Sequence, residues 1–369
     1  MSSTATPIRQ ITTTIPQLIL ANGIASSCQL DPTVTALEAP SRCVGSVKIR
    51  ADPRESVRQL TADEPRPQSP PAEGFAARLS AAVSERQSQI VLGLDPDPAR
   101  LWAEAASRAG GNGPAEQAAS AVAAHCCDLI DAAGPACVAV KPQLACFERL
   151  GAPGRIALGA VVAHAKTAGL LVLADGKRGD IDVSAAAYCQ SLVGTTATPF
   201  GDVGGLGADA FTANPYMGAD TLGVLIEGAR EAAAGVFVLV RTSNPGAADF
   251  EDLELAAGGT LWERVAESVD ALGAAGELSD VGAVVGATAP QHVARMRELM
   301  PRTIFLLPGI GAQGGRVEDL APAFAPGRAG GLVSASRSIV FASEERGGSA
   351  AEAAREQAEE LRAAAWALG

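Results

Sequence analysis

An α/β fold, specifically a TIM (β/α)₈ barrel, is predicted by three features of the sequence. From Gly74 onward, short apolar runs rich in β-branched residues alternate with Ala-rich amphipathic stretches, which is the pattern of strands followed by helices. Such alternation is typical of a parallel sheet, because each parallel crossover needs a helix. Eight of these units occupy roughly 270 residues, the size of a closed eight-stranded barrel. A doubly wound open sheet is the alternative fold.

The eight predicted strands share a short run of apolar and β-branched residues. In chain order they are 90–95, 137–141, 170–175, 209–214, 236–242, 281–286, 303–308 and 331–336. Helices are predicted between them where apolar residues recur with helical spacing, over 113–133, 153–168, 218–234, 259–275 and 289–299. The Gly-rich segment 193–209, before the fourth strand, is predicted to be a surface loop.

Residues 1–72 differ in composition from the rest of the chain. They are rich in Thr, Ser and Pro, and no apolar period of a strand or helix persists in them. We therefore predict a disordered or loosely attached extension over 1–72, or sequence upstream of the natural start, followed by a barrel domain over 73–369. A targeting segment or a small docking module is the alternative for the extension.

Charge and cysteine content restrict the partners and the compartment. The formal net charge of −12 argues against nucleic acid or an anionic membrane as the main partner. No apolar run approaches the roughly 18 residues of a membrane span. Seven cysteines without a C-x-x-C pair favour reduced thiols over a disulfide framework or a zinc site, so we expect a cytoplasmic protein.

Polar residues follow every predicted strand except the sixth, and the active site of a (β/α)₈ barrel lies at these carboxyl ends. Each residue alone is weak evidence, because solvated loop tips also collect charge. Together they predict one opening lined with polar groups. The residues are Asp95, Lys141, Asp175 with Lys177, Asn214, Ser243, Gln313 and Arg337.

The densest charge lies in segment 175–180, with the sequence DGKRGD. Asp175 and Lys177 alternate along the strand and therefore face the same side. With Lys141 from the preceding strand and Asp180 they form a Lys-Asp-Lys-Asp set, called here the charged array. Opposite charges side by side keep each other ionised, so the field is fixed before substrate arrives. A substrate carboxylate placed near Asp175 would be repelled, and losing it as CO₂ would relieve that repulsion and leave a carbanion beside the ammonium group of Lys177.

A phosphate site is predicted by segment 308–315, called here the glycine loop, and by Arg337. Gly-rich backbone, including Gly314, can present N–H groups to an anion, and an arginine can make a forked contact with phosphate. Barrels of this type often bind phosphate after their seventh and eighth strands. The loop is not a P-loop, because the G-x-x-x-x-G-K-[ST] pattern is absent.

These motifs resemble the orotidine 5′-phosphate decarboxylase family, in particular its bacterial subgroup with the D-G-K-R-G-D-I signature. The likeness runs from about Gly74 to Ala342, and the extension 1–72 has no counterpart in it. Several motifs in the same order are far more specific than any one of them. They are LGLDPDP (92–98), KPQLACFERLG (141–151), DGKRGDI (175–181), NPYMG (214–218), SNPG (243–246), LPGIGAQGG (307–315) and SASRSI (334–339).

The resemblance implies decarboxylation of orotidine 5′-monophosphate to UMP in pyrimidine biosynthesis, with no cofactor and no metal. It implies that Lys177 is the proton donor and that Asp175 crowds the departing CO₂. The further roles that it implies are ribose contacts for Lys141 and Asp95, a pyrimidine contact for Ser243, and phosphate contacts for Gln313 and Arg337. Ser184, Asn214 and Gly314 are the remaining substrate-binding candidates.

The same resemblance implies a homodimer, because Asp180 matches a residue that the neighbouring subunit supplies. One departure follows the signature: a small G-S-T-like run is expected, and Asp182-Val183-Ser184 stands there instead. Ser184 keeps a hydroxyl group at the expected place, whereas Asp182 adds a charge near the site.

Two other functions fit part of the pattern. A metal-dependent sugar-phosphate lyase or synthase of the same barrel superfamily shares D-x-K-x-x-D, but is expected to carry a metal-binding acid where this chain has Lys141. A non-catalytic sensor of phosphate ligands is expected to have lost a member of the charged array, and all four are present.

Overall fold

A computed structural model describes residues 73–311 and 313–369, so the predicted extension 1–72 lies outside the described residues. Its strands are β1 (Ile90–Leu94), β2 (Ala139–Pro142), β3 (Leu171–Arg178), β4 (Thr195–Thr196), β5 (Val203–Gly204), β6 (Ala210–Ala213), β7 (Gly235–Arg241), β8 (Val281–Val285), β9 (Phe305–Pro308) and β10 (Gly331–Ala335). Eight of them form a closed parallel barrel in chain order, in which β1 pairs with β10. The predicted barrel is therefore confirmed over the open sheet. The other two, β4 and β5, form an antiparallel hairpin within the predicted surface loop 193–209.

Helices follow the strands around the outside of the barrel. They are α1 (Phe75–Arg86), α2 (Ala103–Ser107), α3 (Pro114–Ala133), α4 (Leu144–Glu148), α5 (Gly151–Thr167), α6 (Asp182–Leu192), α7 (Ala219–Glu231), α8 (Leu261–Leu272), α9 (Val293–Leu299), α10 (Arg337–Val340), α11 (Ala342–Arg346) and α12 (Ala350–Trp366). Local signals explain several helix starts. Pro114 occupies the first turn of α3, and Thr260 and Glu263 form a capping box at α8.

The first helix, α1, closes the amino-terminal end of the barrel. Its side chains Phe75, Leu79 and Val83 pack with the residues that fill the barrel interior. Phe75 meets Phe237 of β7 edge to face, with ring centroids 5.9 Å apart. Apolar side chains fill this end of the barrel, whereas the predicted polar site residues lie at the opposite end, where the strands finish.

No helix in the described ranges is long and apolar enough to cross a bilayer. Five cysteines of the described ranges have free thiols. They are Cys126, Cys127, Cys137, Cys146 and Cys189.

Candidate active site

An irregularity in the barrel presents the 175–180 segment to the opening. Ala174 pairs with Phe211 and Arg178 pairs with Ala213, so β3 advances by four residues while β6 advances by two. The extra residues bulge out of the ladder. Within the bulge Lys177 has a φ of 48°, a left-handed conformation that a side chain disfavours. Neighbouring groups must therefore hold this backbone in place.

Three members of the charged array converge on one buried carboxylate. Lys141 Nζ lies 2.7 Å from Asp175 Oδ2, and Lys177 Nζ lies 2.6 Å from Asp175 Oδ1. The Asp175 and Lys141 side chains are buried, whereas the side chain of Lys177 is 44% exposed. The structure therefore brings these three groups together, as the sequence predicted. The ammonium group of Lys177 is the one that faces the cavity opening.

The surroundings favour the charged forms of Asp175 and Lys141. Burial alone would raise the pKa of Asp175, but the two ammonium groups outweigh it and hold that pKa well below its usual range. Burial likewise disfavours the charged form of Lys141, but Asp175 and Asp95 raise the pKa of Lys141 above its ordinary value. A fixed negative charge thus lies between two positive ones before any ligand binds.

Two neutral donors complete the shell around Asp175, and sequence reasoning missed both. Gln143 Nε2 donates to Oδ2 at 3.2 Å, and the Thr212 hydroxyl donates to Oδ1 at 2.9 Å. Gln143 follows β2 by one residue, within the KPQ run. Thr212 is a polar residue inside an otherwise apolar strand, and that interruption is the signal that could have found it.

A cavity of about 560 Å³ opens at the carboxyl ends of the strands. Seven sequence-predicted residues line it: Asp95, Lys141, Asp175, Lys177, Ser243, Gln313 and Arg337. Its remaining polar lining comes largely from residues that sequence reasoning did not select, namely Thr212, Thr242, Asn244, Glu251, Ser334 and Ser336. Apolar side chains such as Leu239, Val284 and Leu306 lie among them. A cavity of this size, part apolar and part charged, suits a small polar ligand with an aromatic ring.

Four predicted site residues are not part of this lining. Asp180 is half-buried, and its carboxylate accepts the N–H of Ile181. Ser184 is exposed on the first turn of α6, and Asn214 is exposed with its amide oxygen bound to the N–H of Tyr216. Gly314 donates its N–H to the carbonyl of Gly311 at 2.7 Å. Substrate contacts by these four residues stay predictions.

The glycine loop folds on itself in a way that the sequence did not reveal. The N–H of Gly311 donates to Gly315, and the N–H of Gly315 donates to Gly309. The N–H of Gly314 donates to Gly311, so three N–H groups of the loop form hydrogen bonds within the loop. The side chains of Gln313 and Arg337 reach the cavity, so side chains rather than these N–H groups provide the donors in this conformation.

A network of hydrogen bonds fixes the segment that carries Ser243. Buried Arg241 donates Nε and Nη2 to the carboxylate of Asp252, each at 2.9 Å, and Glu251 accepts the N–H of Thr242 at 2.8 Å. From the other side, the Thr288 hydroxyl donates to the carbonyl of Ser243 at 3.0 Å. Ser243 is thus held at the cavity wall by partners from two directions.

Comparison with known proteins identifies the family. The model of the orotidine 5′-phosphate decarboxylase / HUMPS family matches residues 88–354. The chain belongs to this family. A family member named orotidine 5′-phosphate decarboxylase from Rhodopirellula baltica is 42% identical over 272 residues, which are 73% of this chain and 88% of that protein. The protein of the same name from Deinococcus radiodurans is 41% identical over 295 residues, covering 79% of this chain and 97% of that protein.

Solved structures agree with the family assignment. The OMP decarboxylase of Leishmania donovani has 32% sequence identity and a TM-score of 0.59, and the match covers 79% of this chain and 99% of that one. In the part of the chain that the structure describes, no group of three or more His, Cys, Asp and Glu side chains is arranged to hold a metal ion.

Proposed function

We propose that the protein converts orotidine 5′-monophosphate to UMP and CO₂ by decarboxylation without a cofactor. Membership of the family and the names of its close relatives support this reaction. The structural observation that carries the proposal is the buried carboxylate of Asp175, held between the ammonium groups of Lys141 and Lys177 in the cavity wall. This arrangement repels a second carboxylate and attracts a carbanion at the same place.

The chemistry follows from that field. A substrate carboxylate beside Asp175 faces a charge that cannot be neutralised, because the pKa of Asp175 is held so low. The bond between the ring carbon and the carboxylate breaks, CO₂ leaves, and the electron pair stays on the carbon. Lys177 then gives a proton from Nζ to that carbon and regains one from water. The stabilisation is stronger in the transition state than in the ground state, which is the condition for faster turnover.

The other cavity residues are proposed to hold the remote parts of the substrate. Asp95 and Lys141 suit the ribose hydroxyls, Ser243 suits the pyrimidine edge, and Gln313 with Arg337 suits the phosphate. Their position in the cavity lining supports these roles. Binding energy gained at the phosphate can then be used to close the site around the reacting carbon.

The metal-dependent alternative is disfavoured by Lys141. The related sugar-phosphate enzymes are expected to place an acid at this position, where it would bind a cation. Here the side chain is a buried ammonium group whose pKa is raised, so it repels a divalent metal. A sensor without catalysis is disfavoured because all four members of the charged array are present. A protein that had lost turnover would be expected to lack at least one of them.

The direct test is the fall in absorbance of orotidine 5′-monophosphate with purified full-length protein, run with and without EDTA. Turnover that is equal in both samples is expected. Activity that appears only with added divalent metal would favour the sugar-phosphate alternative, and saturable binding of the nucleotide with no turnover would favour the sensor.

We also propose that the active form is a homodimer in the cytoplasm, with Asp180 completing the site of the partner subunit. Exposed apolar side chains next to Asp180 support a protein interface there: Ile181 is 56% exposed and Val183 is 84% exposed. Tyr216 and Met217 are exposed as well, and Met217 lies beside Gly179. A second copy of the chain that covers this apolar surface would bring its own Asp180 close to the cavity.

Mixing two inactive variants tests the shared site. A hybrid of Asp180→Asn and Lys177→Ala chains contains one site with both groups intact and one site with neither. Random pairing makes half of the dimers hybrid, so about a quarter of the wild-type activity is expected from an equal mixture. Activity that stays at the sum of the two variants would show that Asp180 serves its own chain.

A further inference from the structure

We propose that the hydroxyl group of Thr212 is a positioning group for the reaction, which orients Asp175 and holds the backbone of Lys177. This inference rests on the proposed decarboxylation and extends it to a residue that acts through the charged array. Thr212 lies in β6, on the strand next to the bulge of β3, and is 1% exposed.

The hydroxyl group joins the two residues by one hydrogen bond in each direction. Its oxygen accepts the backbone N–H of Lys177 at 2.9 Å, and it donates its proton to Asp175 Oδ1 at 2.9 Å. A hydroxyl group has a single proton and two lone pairs. Because a carboxylate can only accept, the proton must point to Asp175, and the direction of both bonds is fixed.

The bulge explains why a side chain is needed at this position. In a regular ladder the N–H of Lys177 would donate to a backbone carbonyl of β6, but the shift of register between Ala174 and Arg178 removes that partner. The left-handed backbone of Lys177, with φ at 48°, persists only if its surroundings determine it. The hydroxyl of Thr212 takes the place of the missing carbonyl and anchors this backbone.

The second bond matters when Lys177 acts. At rest, Oδ1 of Asp175 has two partners, the ammonium group of Lys177 at 2.6 Å and the Thr212 hydroxyl. When Lys177 turns to the substrate carbon, Thr212 remains as the partner of Oδ1. The carboxylate therefore keeps its orientation, and hydrogen bonding to the charged form keeps it ionised.

Thr212→Val removes the hydroxyl group at nearly unchanged shape and is the main test. We expect kcat to fall about tenfold or more, with KM for orotidine 5′-monophosphate changed by less than about threefold. Thr212→Ser keeps the hydroxyl and should recover most of the rate. A kcat of T212V within twofold of wild type, or a serine variant as slow as the valine variant, would overturn the inference.

Thr303→Val is the matched control. Thr303 is also fully buried, lies just before β9 at the other end of the barrel, and its hydroxyl has no hydrogen-bond partner among the described residues. This variant should leave both kcat and KM unchanged.

A crystal structure of T212V separates this inference from the proposed reaction. Loss of the left-handed conformation of Lys177, or of its contact with Asp175, supports the positioning role even if the wild-type protein does not turn over. Retention of both overturns it. Wild-type protein without turnover would count against the proposed function alone.

Discussion

Replacing Lys141 by methionine is expected to destabilise the fold as well as stop the reaction. Methionine keeps an unbranched chain of similar length but removes the ammonium group 2.7 Å from Asp175 Oδ2. Both side chains are over nine-tenths buried, so water cannot replace the lost partner. The Oδ2 atom is left with the 3.2 Å hydrogen bond from Gln143.

The magnitude follows from the geometry. Two unit charges 2.7 Å apart interact by about 6 kcal/mol at an effective dielectric constant of 20. Part of this is offset because a buried lysine no longer has to lose its hydration. Breaking one side of a buried pair costs about 3–5 kcal/mol in practice. We therefore expect the free energy of unfolding to fall by about 3 kcal/mol or more.

Urea denaturation of four proteins measures this effect: wild type, Lys141→Met, Asp175→Asn and the double variant. The double variant buries neither charge, so it should be about 2 kcal/mol more stable than Lys141→Met alone. Lys166→Met is the control, because Lys166 is an exposed lysine on α5 and its loss should change stability by less than about 0.5 kcal/mol. A Lys141→Met protein within 1 kcal/mol of wild type, or a double variant with the summed loss of both single variants, would refute the reasoning.

Three further outcomes are expected. Lys177→Ala should abolish decarboxylation with little change in the unfolding midpoint, since its side chain is 44% exposed; near-normal turnover would refute its role as proton donor. Arg337→Ala should lower kcat/KM for orotidine 5′-monophosphate at least about tenfold. With a substrate that lacks the phosphate group, added inorganic phosphite should raise the rate of the wild type but not that of the variant. A variant with the same kcat/KM as the wild type would count against the phosphate contact. Burial lowers the pKa of His125 from 6.5 to about 4. The stability that depends on neutral His125 is therefore complete above pH 6.5 and is lost as the pH falls through 4, by up to about 3 kcal/mol. In urea denaturation at a series of pH values, His125→Asn should reduce this loss, and the same dependence of unfolding free energy on pH in both proteins would contradict it.

The fold could be predicted from local patterns because each barrel strand is buried on both faces. That burial selects continuous apolar runs such as IVLGL in β1 and GVFVLVR in β7. The ends of the strands were predicted less well. The strand predicted over 303–308 begins at Phe305, and β3, predicted to end at residue 175, extends to Arg178. The bulge that carries Lys177 accounts for the second difference, since irregular pairing leaves no mark in hydrophobic periodicity.

For the candidate site, the sequence by itself determined which charged groups lie at the strand ends, because chain order and strand polarity decide that. It did not determine which atoms meet. The Lys141–Asp175 contact joins residues that are 34 positions apart, and the Asp175–Thr212 contact joins residues 37 apart. Such contacts depend on the register between neighbouring strands.

Tertiary structure alone also decided how the glycine loop and Asp180 are placed. The loop's internal hydrogen bonds turn the N–H of Gly314 toward Gly311, although its composition suited anion binding. Asp180 lies outside the cavity lining of its own chain, although Asp175 and Lys177 of the same segment line it. Local sequence fixes the kind of group at each position, whereas barrel closure and pairing register fix the distances between groups, and the proposed chemistry depends on those distances.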